Sequence, residues 1–176
     1  MHHSEFTGRT IMKKIAYLFP GQGSQKIGMG QDLYEALDSI KKIFNLADEV
    51  SEQPITQLCF EGPMETLTQT INLQPAMTAV NLACLAAINE KIDLTPDFFA
   101  GHSLGEYCAL YAAGIISVRD CLRLVFKRGQ LMHREATRNK GAMSAVVGLD
   151  IEQVNQIIAQ AASSGVLAVA NHNSAE

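Results

Sequence analysis

The chain reads as an α/β protein on three observations. A short apolar run, Ile15-Ala16-Tyr17-Leu18-Phe19, leads into the glycine-rich turn Pro20-Gly21-Gln22-Gly23-Ser24-Gln25. A second apolar run, Phe98–Gly101, leads into the pentapeptide Gly101-His102-Ser103-Leu104-Gly105. Long helical patterns stand between and after them, at Gln31–Asp48, Gln74–Asn89, Gly105–Ala113 and Ser117–Ala136. Short strands alternating with helices imply a parallel sheet carried by helices.

Taken in order, Met1 to Ile11 is polar, lacks the long apolar core of a signal peptide, and reads as an appended leader, with Met12-Lys13-Lys14 as a natural start. Ile15–Phe19 has the length and apolarity of a buried strand. The turn after it does not fit two familiar phosphate-binding patterns. A G-x-G-x-x-G match fails at Lys26, and in G-x-x-x-x-G-K the place of the lysine is held by Met29. Such a turn at a strand end can instead offer backbone N–H groups to a developing oxyanion, or be an ordinary strand-to-helix turn. Gly62-Pro63 and Thr95-Pro96 mark further turns.

The G-x-S-x-G pentapeptide at 101–105 has the strand-turn-helix setting of a nucleophile elbow, in which a sharp turn exposes the serine hydroxyl between two glycines. That setting gives an α/β-hydrolase-like large subdomain over 12–139 and points to acyl transfer through a serine ester. The helix after it stops at Gly114. Ser117-Val118-Arg119-Asp120 is a capping box opening the next helix. At roughly 100° per residue, Leu122, Val125, Phe126, Gly129 and Met132 form its apolar stripe, and Arg123, Lys127, Gln130 and Arg134 its wet face. Arg128 falls away from the other cations and is expected to be partly buried and to need an anion. That anion is an internal carboxylate or a substrate, unless the guanidinium reaches back to water; the spacing leaves these open.

Thr137–Gly141 reads as a linker. Beyond it, Ala142–Val147 reads as a strand, Asp150–Ala162 as a helix and Val166–Ala170 as a second strand. This β-α-β unit is half of a ferredoxin-like split fold, so 140–176 is expected to be a partial, ferredoxin-like small subdomain. Two strands make a poor parallel sheet in the large body, and further strands are expected beyond Glu176.

Composition excludes more than it specifies. The chain has 176 residues, 47% of them hydrophobic, and a formal net charge of −4, with no basic bias toward nucleic acid. No continuous apolar run approaches the ~18 residues of a membrane span. Cys59, Cys84, Cys108 and Cys121 lack metal-ligand spacing and read as reduced packing residues of a cytoplasmic protein. No metal site is expected.

Phe19–Gln25 and Gly101-His102-Ser103-Leu104-Gly105-Glu106-Tyr107 together resemble the malonyl-CoA:acyl carrier protein transacylases and the acyltransferases of polyketide synthases. Gln74-Pro75-Ala76, Lys127-Arg128-Gly129, Gly141-Ala142-Met143 and Asn171-His172-Asn173-Ser174 agree with it, so the resemblance spans about Lys13 to Ser174. It implies Ser103 as the nucleophile that takes malonyl from malonyl-CoA. The backbone N–H groups of Gln22 and Leu104 would form the oxyanion hole. Arg128 would bind the malonyl carboxylate, tipping its open reading toward substrate. Gln74 and Asn171 would line the acyl pocket, with His102 supporting the elbow, and Glu106 and Tyr107 would settle it. The acceptor would be the phosphopantetheine thiol of an acyl carrier protein, and no bound cofactor is needed. The family's general base is a histidine late in the protein. His133 and His172 do not match it, so the base is expected beyond residue 176. An editing acyl hydrolase on the same fold, and a carrier-protein-binding fragment without catalysis, are the other readings.

Overall fold

The computed structural model describes residues 14–162 and 165–174. They fall into two compact units divided between Asn139 and Lys140.

The first unit opens with strand β1 (Ala16–Phe19), which pairs in parallel with β2 (Phe98–Gly101), Ala16 opposite Phe98 and Phe19 opposite Gly101. Asp97 sets this register from both its ends. Its carboxylate accepts from Ile15 N–H at 2.9 Å, and its own N–H donates to Ile15 O at 2.8 Å. Phe19 is buried, whereas Leu18 and Phe98 on the other face are exposed. The helices therefore cover one face of the pair.

Where one helix is expected over 31–48, the chain forms α1 (Gln31–Ala36) and α2 (Asp38–Ser51), broken at Leu37, which is extended at φ −135°. The apolar spacing runs on through the break, from Leu33 and Leu37 to Ile40, Phe44 and Ala47, so periodicity could not reveal it. The bend brings Tyr34 of α1 onto Phe44 of α2, and both rings meet Phe60 at the end of α3 (Ile55–Phe60) with centroids 5.1–5.7 Å apart. Such tilted and edge-on aromatic packing is favourable beyond simple area burial. A short helix, α4 (Met64–Leu67), turns the chain into α5.

Helix α5 (Thr70–Lys91) is the axis of the unit. Residues on every side of it are buried, from Leu73, Ala76 and Met77 to Thr78, Leu82 and Leu85. That explains why it shows no polar face. Among the described residues it is the one helix long and apolar enough to cross a membrane, a length the reading of continuous apolar runs did not register. Yet 67% of that stretch is buried inside the fold, as in a core helix. Pro75 removes the N–H that would donate to Ile71 O. Around α5 pack α2, α6 (Gly105–Ala112) and α7 (Val118–Arg138). Ser117 caps α7 by accepting from Asp120 N–H at 3.1 Å. The Asp120 carboxylate takes the Ser117 hydroxyl at 2.7 Å, so the box is closed through the side chain.

The second unit holds α8 (Ile151–Ala161), whose capping box is complete. Asp150 accepts from Gln153 N–H at 2.8 Å, and Gln153 accepts from Asp150 N–H at 3.1 Å. The strands expected at 142–147 and 166–170 are not formed, and Val147 and Val166 lie exposed. Over 140–174 the described residues form a capped helix with extended flanks in place of the two strands expected. A split β-α-β unit sets a third strand between its two parallel strands, and no described segment supplies one. Without that ladder the flanks have nothing to pair with.

Cys59, Cys108 and Cys121 are fully buried and Cys84 is exposed. Burial pushes the Cys59 thiol up to about 12. In native protein at pH 8, iodoacetamide is expected to label Cys84 alone on a fast time scale. Its rate should still be rising at pH 9, because partial desolvation of its sulfur by neighbouring atoms, then Asp32, hold that thiol above its ordinary value. Mass spectrometry counts the labelled sites, and a second fast thiol in folded protein would contradict this packing.

Candidate active site

The site begins with the way β2 stops. The ladder continues one residue beyond the strand, with His102 N–H donating to Phe19 O at 3.0 Å. The chain then reverses, and Gly105 N–H returns to His102 O at 2.9 Å. Ser103 sits at the apex with φ +54°. A left-handed non-glycine residue costs on the order of 1 kcal/mol or more and persists only where its surroundings enforce it.

The enforcement is backbone against backbone. A Cβ at Gly101 would overlap the carbonyl group of Gly105, and one at Gly105 would overlap Phe19 O. The first turn of α6 therefore lies directly on the ends of both strands. Leu104, wholly buried, anchors the turn from below. Ser103 stands exposed above it, at the positive end of the α6 dipole.

The turn at 20–25 runs alongside. A Cβ on Gly21 would come within 2.8 Å of both Nδ1 and O of His102, so this glycine lets the turn lie against the elbow. Asn81 of α5 holds the turn by donating to Pro20 O at 3.0 Å. The same amide also bonds the Cys108 thiol, which Cys121 of α7 contacts in turn. Hydrogen bonding from Cys121 lowers the Cys108 thiol and raises that of Cys121. Sequence reading missed Asn81, although an asparagine amid the buried apolar positions of α5 needs a polar partner. The backbone N–H groups of Gln22 and Leu104 have no acceptor among the described residues.

Arg128 completes the site. Its Nη2 donates to Ser103 Oγ at 2.9 Å and its Nη1 to Gln74 Oε1 at 2.8 Å. It is half-buried. Among the described residues it makes no internal ion pair. Gln74 is fully buried, with Nε2 3.1 Å from Met132 Sδ and 3.5 Å from Gln22 Oε1. The structure thus joins Ser103, Arg128, Gln74 and Gln22 through side-chain hydrogen bonds, with His102 and Leu104 flanking the serine. Met132 is an addition to the residues expected. Asn171 lies in the second unit, at an exposed position.

The exposed serine on its elbow, the two N–H groups beside it with no described acceptor, and a guanidinium at the hydroxyl with no described carboxylate are an arrangement that can support acyl chemistry. Comparison with known proteins agrees with that class: the chain belongs to the acyl transferase domain family, whose model matches residues 16–175. Within the family it is similar to the malonyl CoA-acyl carrier protein transacylase of Bacillus subtilis strain 168, at 47% identity over 89% of this chain and 49% of that protein. The enzyme of the same name from Haemophilus influenzae is 40% identical over 93% of this chain and 53% of its own. Among solved structures, the malonyl CoA-acyl carrier protein transacylase of Coxiella burnetii superposes with TM-score 0.81 at 35% identity, covering 88% of this chain and 49% of that one. A malonyl-transacylase solved in complex with its type II polyketide synthase acyl-carrier protein superposes with TM-score 0.75 at 35% identity, over 86% of this chain and 49% of that one. The chain spans about half the length of the relatives it matches.

Two substitutions separate backbone from side chain at the elbow. Ser103→Gly and Ser103→Ala both remove the hydroxyl, but only glycine relieves the left-handed strain. In urea unfolding, Ser103→Gly is expected to be more stable than Ser103→Ala by about 1 kcal/mol. Gly105→Ala, which places a methyl in the Phe19 carbonyl, is expected to leave no cooperative transition under the same conditions.

Proposed function

We propose that this chain carries the nucleophile, oxyanion hole and acid-binding arginine of a malonyl-CoA:acyl carrier protein acyltransferase built on an α/β-hydrolase-like body. The observation that carries the reading is the 2.9 Å contact between Arg128 Nη2 and Ser103 Oγ. In a malonyl thioester the free carboxylate is one methylene from the reacting carbonyl. A cation within reach of the nucleophile stands where that carboxylate falls, and a planar guanidinium can hold it through two N–H groups. A neutral acyl chain would gain nothing from the cation, which disfavours an editing hydrolase.

In this mechanism Ser103 Oγ attacks the thioester carbonyl of malonyl-CoA. The N–H groups of Gln22 and Leu104 receive the developing oxyanion, and coenzyme A leaves as its thiol. The phosphopantetheine thiol of an acyl carrier protein then attacks the Ser103 ester and carries malonyl away. No bound cofactor is required. The serine's proton passes to a general base; by resemblance this is a histidine late in the family's proteins, whose position neither His133 nor His172 matches. The relatives' names support the substrates, and the transacylase solved with its carrier protein supports the partner. The reaction would serve fatty acid or polyketide synthesis in the cytoplasm.

Intact-mass spectrometry after mixing with malonyl-CoA tests this. A malonyl adduct is expected on the protein and absent from Ser103→Ala; an adduct that survives the substitution would place the nucleophile elsewhere. Arg128→Ala is expected to slow malonyl loading about 100-fold, the scale of a lost charge-assisted pair, while acetyl-CoA loading changes far less.

A further inference from the structure

Gln74 is a fully buried amide beside Leu73, Pro75, Ala76 and Met77. A buried amide is costly unless its polar atoms are bonded. A guanidinium offers only donors, so the atom facing Arg128 Nη1 at 2.8 Å must be the amide oxygen, which fixes the orientation of the side chain. The nitrogen is left with weak acceptors, Met132 Sδ at 3.1 Å and Gln22 Oε1 at 3.5 Å. The strong bond of this amide is therefore to Arg128.

The backbone supports that bond. Gly129, next to Arg128, passes so close to α5 that a Cβ there would lie 3.0 Å from Thr70 O and 3.5 Å from Gln74 Cβ. The guanidinium is thus held at Nη1 and offers Nη2 to Ser103 Oγ. Glutamate in place of Gln74 would hold the same nitrogen but neutralise the cation. A neutral amide positions it and leaves its charge for a ligand.

We propose that Gln74 is the positioning residue of Arg128, fixing Nη1 so that Nη2 turns from Ser103 Oγ to the carboxylate of an incoming malonyl-type thioester. The nucleophile's lone pair is then released only when an anionic acyl group is seated. Neutral acyl groups leave Nη2 on the serine, so selectivity enters the acylation step as well as binding. This rests on the reading of Arg128 as the carboxylate site.

Malonate titration of the ¹⁵N-arginine-labelled protein by NMR tests it, with Arg128→Ala identifying the Arg128 resonance. Malonate should shift that resonance. Gln74→Leu should weaken malonate about 10-fold, the scale of one hydrogen bond to a charged group, and Gln74→Glu should abolish binding. Ser103→Ala, an exposed substitution that leaves Gln74 in place, should bind malonate more tightly by about 3-fold, because Nη2 no longer has to leave a partner. Wild-type affinity in both Gln74→Leu and Ser103→Ala would overturn the inference and spare the carboxylate site. Failure of malonate to shift Arg128 in the wild type would overturn both.

Discussion

Everything in the first unit that bears on chemistry depends on one close approach, the first turn of α6 resting on the carbonyl ends of β1 and β2. Gly101 and Gly105 make it possible, since any side chain at either position would occupy backbone atoms. With helix and strands in contact, the intervening residues have no room to continue either element. Ser103 is forced into the left-handed region with its hydroxyl outward, and Leu104 is driven into the core. The elbow is thus a product of packing, and its strain is sustained by the burial beneath it.

The second constraint is electrostatic. Arg128 is half-buried with two neutral acceptors, Gln74 and Ser103, and no described anion. Removing a cation from water costs free energy that two neutral hydrogen bonds offset only in part. Such a site favours an anion that enters from solvent. The residual attraction differs from that of a permanent ion pair, in which the charge would already be spent.

Most of the first unit was legible because its signals are local. The pentapeptide at 101–105, the Ser117 cap and the stripe on α7 each depend on residues within a turn or two, and the wheel placed Arg128 apart from its fellow cations. What stayed hidden depends on partners distant in sequence. The break at Leu37 preserves helical spacing, so only the meeting of Tyr34 with Phe44 and Phe60 reveals it. Asn81 gains its role from Pro20, sixty-one residues away. The segments at 142–147 and 166–170 have strand composition, but a strand is defined by its ladder, and composition carries no information about a neighbour. Their helix was legible for the opposite reason, since Asp150 and Gln153 complete it unaided.

Gln74 and Asn81 are seven positions apart on α5, so their side chains leave the helix within about 20° of each other and about 10 Å apart along its axis. One steadies the guanidinium, the other the turn that carries Gln22. Both halves of the site are therefore gauged from a single rod embedded in the core. If thermal motion slides or tilts that rod, the two displacements are correlated, and the spacing between the Arg128 guanidinium and the Gln22 turn changes less than either position does. The arrangement works as a common ruler, preserving the relative placement of groups that arise more than a hundred residues apart in the chain.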